Sequence, residues 1–497
     1  MGSPALSTMA LSTMNATNTV DAPPAALRIG GRWLAETAAG AVPVHDPASG
    51  AVIGAMPVAG PAEVEAAAAA AGAAFALWKR RTPLERFHVI TAGTALLRRR
   101  VSTIAAVLTR EQGKPLAEAE RELRLSADII DFLAEEAKRL AARGVPPRSA
   151  GVASQTVLRV PVGPVAAFTP WNFPANLPAR KIGGALAAGC SVVIRPDERT
   201  PFTCVEIVRA FVDAGLPDGV LNLVAGPPAP ISTALVADPR IAKLSFTGSV
   251  AVGRALGELA ARHGKRYTAE LGGHAPVVVC ADADATAVAA LSVAAKYRNA
   301  GQVCASPIRF LVQRQRYDEF AAAFVAGARA LKVGPGAEPG TQMGPLVDAS
   351  RVQQMQAFVD DALAHGARLA CGGERLARPG SFFAPTVLEA VPAAARVQRE
   401  EPFGPIAVLD AFDDLDDAIA RANALPYGLA AYAFTNDLRL ATKLADGLEA
   451  GMVGINHFGV SQPETPFGGV KASGTGHESG LEGLLGCTEL KLVSVAA

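Results

Sequence analysis

Between Gly60 and about Arg143 the order of apolar and polar residues predicts helices. "GPAEVEAAAAAAGAAFALWKR" is Ala-rich, and "PLAEAERELRLSADIIDFLAEEAKRLA" repeats apolar positions every three to four residues, as a helix with one buried face does. Between them, "TPLERFHVITAGTALLRRR" sets Thr82 before Pro83, with Glu85 three residues after the Thr. That is a capping box with proline at the first helical position. In "SQTVLRVPVGPVAAF" the pattern changes to alternation, rich in Val, and predicts a strand.

From Val165 onward short apolar runs alternate with helical ones: "VGPVAAFTP", "ARKIGGALAAG", "CSVVIRP", "TPFTCVEIVRAFVDAG", "GVLNLVAG", "AKLSFTGS" and "VAVGRALGELAARHG". This β-α-β-α-β order with right-handed crossovers predicts a doubly wound, nucleotide-binding parallel sheet. A second series, from "APVVVCADAD" through "IRFLVQ", "FFAPTVLEAV", "PIAVLDAF" and "GMVGINHF", predicts a second α/β domain. The closing "TELKLVSVAA" reads as a strand whose bare edge suits pairing with another subunit.

Composition narrows the partners. At 497 residues the chain is long enough for two or three domains and a cleft between them. Its 47 basic side chains nearly cancel 46 acidic ones, which argues against nucleic acid or an anionic membrane and for a small substrate. Six scattered cysteines without CxxC pairs indicate neither a zinc site nor a disulfide scaffold, and fit a reducing compartment. The first 27 residues, with the duplicated "ALSTMALSTM" and no basic residue before Arg28, lack the pattern of a secretory or transit signal and are expected to be a disordered tail. No apolar run is long enough to span a membrane, so a cytoplasmic protein is expected.

Within "KYRNAGQVCASP" one cysteine, Cys304, stands apart from the others by its company. An ordinary intracellular cysteine is a small buried hydrophobe, and Cys190, Cys204, Cys280, Cys371 and Cys487 are read that way. Glu270 in "AELGGHAP" and Asn172 in "TPWNFPANLPARK", each unremarkable alone, complete a set with Cys304. Cys304 would be a nucleophile and Glu270 a general base, with the Asn172 amide and the Cys304 N–H forming an oxyanion hole.

With these motifs the sequence resembles the aldehyde dehydrogenase superfamily. "PWNFP", "FTGSVAVGR", "ELGGHAP", "GQVCAS", "EEPFGP" and "PFGGVKASGTG" occur in the family's order, and the match runs from "GRWLAE" almost to the C-terminus. The 34-residue separation from Glu270 to Cys304 also matches. The resemblance implies an α/β fold with a doubly wound cofactor domain at 28–143 and 162–270, a catalytic domain at 271–475, and a small β oligomerisation ribbon from 144–161 and 476–497. It implies oxidation of an aldehyde through a Cys304 hemithioacetal and thioester, with Glu270 activating water for hydrolysis. A homodimer or homotetramer is expected.

The resemblance also assigns roles residue by residue. Glu478 falls where the family has a proton-relaying glutamate, although His477 replaces the usual arginine beside it. Trp171, Gly248, Ser249, Glu401 and Phe403 match cofactor contacts, and Arg195 stands where the family usually has lysine. Glu198 would accept from the adenosine ribose and repel a 2′-phosphate, favouring NAD, whereas Arg195 and Arg199 leave NADP open. Arg180 and Arg298, with Ser461, coincide with the residues that hold a substrate carboxylate in the succinate-semialdehyde dehydrogenase branch; Ser306 replaces a second cysteine found in some of its members. Succinate semialdehyde is therefore the expected substrate. The alternatives are another ω-carboxylate or an aromatic aldehyde, a CoA-acylating relative, a thiol hydrolase without a redox step, and a binding protein that retains the fold.

Overall fold

The computed structural model describes residues 25–496. Its first sheet has eight strands, in the order Gly474–Thr475, Arg266–Glu270, Lys243–Thr247, Val165–Phe168, Val192–Arg195, Leu221–Leu223, Leu27–Ile29 and Arg32–Leu34. The five strands between 165 and 270 are mutually parallel, and the outer ones join antiparallel. These inner strands are buried on both faces by helices, so they read as continuous apolar runs. The second sheet has seven strands from Ala275 to Ile455, all parallel except Arg368–Cys371.

Several boundaries differ from the sequence reading. Leu27, assigned to the tail, is fully buried in the next-to-last strand of the first sheet, because a two-strand hairpin at residues 27–34 extends the sheet beyond Leu221–Leu223; the tail as far as residue 24 lies outside the described residues. "SQTVLRVPVGPVAAF" is two strands rather than one. Val152–Pro161 pairs with the closing strand Thr488–Ala496, and Val165–Phe168 enters the first sheet. The break falls at Gly163, whose φ of 131° suits glycine. Gly474–Thr475, grouped by sequence with residues 271–475, pairs with Arg266–Glu270 in the first sheet.

The capping box at Thr82 forms as expected, Thr82 Oγ1 accepting from the Glu85 N–H at 3.2 Å and the Glu85 carboxylate accepting from the Thr82 N–H at 2.7 Å. The helix ends at Arg99, and a further one, Val101–Gln112, follows at once. The helix Leu116–Ala137 packs against Asn176–Ala188, and this contact carries the first domain's helical layer up to the cleft between the two sheets.

Candidate active site

Three segments build the site, two at the carboxyl ends of parallel strands of the first sheet, where an open α/β sheet places ligands, and one leading into the strand Pro307–Gln313 of the second. Asn172 lies in the turn between the strand Val165–Phe168 and the helix Asn176–Ala188. Glu270 ends the strand Arg266–Glu270. Cys304 follows a kinked turn after the helix Ala285–Tyr297, where Asn299 and Ala300 have φ of 49° and 54°. Asn tolerates that left-handed conformation but Ala does not, so the turn stores strain beside the nucleophile.

Cys304 is partly exposed and lines two clefts. One holds Phe173, Arg180, Arg298, Ser461 and Phe467. The other holds Trp171, Asn172, Gly248, Glu270, Glu401 and Phe403. A third, continuous with the second through Trp171, Thr247, Gly248 and Ser249, runs out past Arg195 and Glu198. Every residue expected at the site thus borders one of these clefts except Glu478, which is buried behind Glu270.

The oxyanion groups are partly free. Asn172 is buried and its Nδ2 donates to the Gln302 carbonyl at 3.1 Å, which uses one of its two hydrogens. The Cys304 N–H donates to no group among the described residues. Burial pushes the Cys304 thiol up to about 12, with the charges of Glu401 and Glu270 adding to the effect and Arg180 opposing it. Burial, then repulsion from Glu478, holds the Glu270 carboxyl well above the usual carboxylate range, and neither of its oxygens has a hydrogen-bond partner among the described residues. Glu478 Oε1 accepts from Lys181 Nζ at 2.5 Å and from Ser245 Oγ at 3.2 Å, while its Oε2 is unpartnered. The two carboxyls therefore share one buried region, with Lys181 and Arg180 as its positive charges.

Glycines let backbone approach the nucleophile. A Cβ on Gly273 would lie 2.8 Å from the Cys304 carbonyl oxygen, and the Gly273 N–H donates to Glu401 at 3.1 Å. Burial raises Glu401 to about 7. Phe403, with φ of 50°, meets Trp171 edge to face at 5.5 Å.

The residues of the outer cleft fit a nicotinamide dinucleotide. The helix Val250–Arg262 begins at Ser249 and points its free N–H groups at the cleft, as pyrophosphate sites require. Thr169 and Thr247, whose buried hydroxyls have no partner, line the same wall. Arg199 is held by Asp197 and by Asp348 at 3.1 Å, and Arg195 by Glu198 and the Gly226 carbonyl, so both guanidiniums are already engaged.

A match to the model of the aldehyde dehydrogenase family spans residues 33–493. The chain belongs to the aldehyde dehydrogenase family. It is 45% identical over 471 residues to 4-(hydroxymethyl)benzenesulfonate dehydrogenase TsaD1 of Comamonas testosteroni, covering 95% of this chain and 98% of that one. It is 41% identical over 467 residues to the succinate-semialdehyde dehydrogenase [NADP(+)] GabD of Escherichia coli K12, covering 94% and 97%. The NAD+ complex of an aldehyde dehydrogenase from Bacillus cereus superposes with a TM-score of 0.93 at 32% identity, covering 96% and 97%. The fold is that of the family, and NAD or NADP is its cofactor.

In this aldehyde dehydrogenase the carboxylate-binding candidates come together. Arg180 is buried, its Nε donating to Asn176 at 2.9 Å and its two terminal nitrogens to Ser479 at 2.5 Å and Ser461 at 2.7 Å, with its guanidinium 4.3 Å from the Phe467 ring centre. Arg298 borders the same cleft and makes no hydrogen bond among the described residues, lying 5.7 Å from the Phe173 ring. The sequence reading missed Ser479, Phe467 and Lys181, which are recruited from distant segments. It also missed one face of the helix Leu116–Ala137, where Glu118, Arg121, Glu122 and Leu125 all border the cleft. Their spacing of three, four and seven residues was the available signal.

Proposed function

We propose that this aldehyde dehydrogenase oxidises an aldehyde carrying a distal anionic group, with succinate semialdehyde as the expected carboxylate substrate. The observation that carries this reading is that Cys304 borders both the cofactor-side cleft and a cleft rich in guanidinium. Arg121, Arg180 and Arg298 all border it, with Glu118 as the counter-charge, while Lys114 and Glu122 are paired to each other. Net positive charge remains for a substrate anion, and planar guanidinium suits carboxylate or sulfonate. The names of relatives at 40–45% identity, among them a benzenesulfonate alcohol dehydrogenase and succinate- and glutarate-semialdehyde dehydrogenases, share an anionic group remote from the reacting carbon.

In this reading the Cys304 thiol gives its proton to water in the cleft and the thiolate sulfur bonds to the aldehyde carbon. The resulting oxyanion is held by the Asn172 amide and the Cys304 N–H. The dinucleotide, when bound, supplies the acceptor for the aldehyde hydrogen as hydride. Glu270 then takes a proton from water as it attacks the Cys304 thioester, and cleavage of the carbon–sulfur bond releases the acid and restores the thiol. Glu478 and Lys181 pass the Glu270 proton outward. Glu198, at the rim of the dinucleotide cleft, favours NAD over NADP. The protein is assigned to the cytoplasm, on its six free cysteines, and to a dimer or tetramer built through the closing strand.

The test is a kcat/KM panel of succinate semialdehyde, 4-formylbenzenesulfonate and butanal, with NAD and with NADP. An anionic aldehyde should lead butanal, NAD should lead NADP by about tenfold, and Arg298→Ala should cut the anionic substrate by about ten- to a hundredfold while leaving butanal within about threefold. A wild-type preference for butanal, or equal losses for both substrate types, would overturn the distal-anion reading.

A further inference from the structure

Behind the Asn172 turn lies an ion pair that the reaction does not use. Lys114 follows the helix Val101–Gln112, Glu122 lies on the helix Leu116–Ala137, and their side chains are 1% and 3% exposed with Nζ 2.5 Å from Oε2. Lys114 Nζ also donates to the Asn172 carbonyl at 2.9 Å and sits 4.1 Å from the Phe173 ring centre. The other Glu122 oxygen accepts the N–H groups of Ala175 at 2.8 Å and Asn176 at 3.1 Å. One ion pair thus grips the turn at Asn172 itself and again at the start of the helix that follows.

The grip extends to the nucleophile's loop. Asn299 Nδ2 donates to the same Asn172 carbonyl at 2.9 Å and to the Gln302 carbonyl at 3.2 Å, the oxygen that also receives the Asn172 amide. The Asn299 N–H in turn donates to Glu118 at 3.0 Å, one turn before Glu122 on the same helix. The helix Leu116–Ala137 therefore anchors two loops that belong to different sheets. A buried ion pair contributes little net stability against an apolar pair of the same volume, because desolvation offsets its attraction. What it supplies is direction: two donors converging on one carbonyl fix the orientation of the Asn172 peptide.

We propose that Lys114 and Glu122 are positioning residues that orient the Asn172 amide toward the Cys304 adduct and act on the reaction only through Asn172. This rests on the oxyanion role given to Asn172 above. The experiment compares Lys114→Met, Asn172→Ala and the double variant by the single-turnover rate of NADH formation, aldehyde KM and NAD affinity. Lys114→Met should slow the single turnover by about ten- to a hundredfold, with KM and NAD affinity within about threefold of wild type. In the Asn172→Ala background the same change should cost less than about twofold, since the path it acts through is gone. Equal losses in both backgrounds, or a loss confined to KM and NAD affinity, would overturn the proposal. Glu122→Gln keeps an acceptor for the two N–H groups while removing the charge, so it covers a Lys114→Met chain that does not fold; it should show the same dependence on Asn172, and an independent loss would count against the pair. Asn172→Ala at the wild-type rate would remove the oxyanion assignment and this proposal with it, whereas an undiminished Lys114→Met rate beside a slow Asn172→Ala would remove only this one.

Discussion

Glu270 concentrates the chemistry at the scale of a single residue. It is 1% exposed, its oxygens have no partner, and burial with Glu478 nearby holds its carboxyl well above the usual range. The folded chain therefore keeps the Glu270 proton to a higher pH than the unfolded chain does. That contributes stability which is complete below the ordinary carboxylate pKa and is lost as pH rises through the elevated one. Glu270→Gln carries no such proton, so its melting temperature should fall less than that of wild type as pH rises above the ordinary carboxylate range; parallel slopes in differential scanning fluorimetry would contradict the elevated pKa. Kinetically the same variant should release a burst of NADH and then turn over slowly, because acylation proceeds while hydrolysis lacks its base. Absence of any burst would show that the Cys304 thiol, itself pushed up to about 12, depends on Glu270 for activation.

Elements matter here through their ends. The connection from the strand Arg266–Glu270 to Ala275–Val279 passes against the Glu401 carboxylate at Gly272 and against the Cys304 carbonyl at Gly273, and glycine lets it do so at both. A methyl group on Gly273 would press against the Cys304 carbonyl at 2.8 Å and the Leu429 side chain at 3.1 Å. Both strands are fixed in their sheets, so the loop is what must move. Gly273→Ala should cut kcat by about tenfold or more while leaving the far-ultraviolet circular dichroism unchanged, because a displacement of even about 1 Å misaligns a reacting group. Unaltered kcat would show that the loop relaxes without cost. The non-glycine residues Asn299, Ala300, Phe403 and Ser479 have positive φ and lie around the clefts, where neighbouring structure rather than local preference sets the backbone.

For the whole molecule the open question is assembly. The closing strand Thr488–Ala496 pairs on one side with Val152–Pro161 and ends the three-stranded sheet, its other edge having no partner among the described residues. Leu490, Leu492, Val493 and Val495 along it are 63%, 59%, 37% and 51% exposed. An apolar edge strand of this length invites pairing with a second copy. Light scattering at micromolar protein should report a mass at least twice the 50.9 kDa chain, and Leu490→Lys with Leu492→Lys should lower it. A wild-type peak at the chain mass would contradict assembly through this strand.

Much of this protein is determined by sequence alone. Periodicity located the parallel strands because they are buried on both faces, and the capping box at Thr82 placed a helix start from three residues. Cys304, Glu270 and Asn172 were legible because the chemistry needs those residue types at the ends of elements, and local sequence marks such ends. Tertiary structure decided what depends on distance through space. The pairing of Lys181 with Glu478, the fixing of Arg180 by Ser461 and Ser479, and the hold of Lys114 on Asn172 and of Glu122 on Ala175 and Asn176 join residues 53 to 299 positions apart. So does the elevated Glu270 pKa, which arises from burial and from a carboxylate more than two hundred positions away. A sequence lists the side chains that can titrate or donate, but their desolvation and their partners exist only once the two sheets have closed around them.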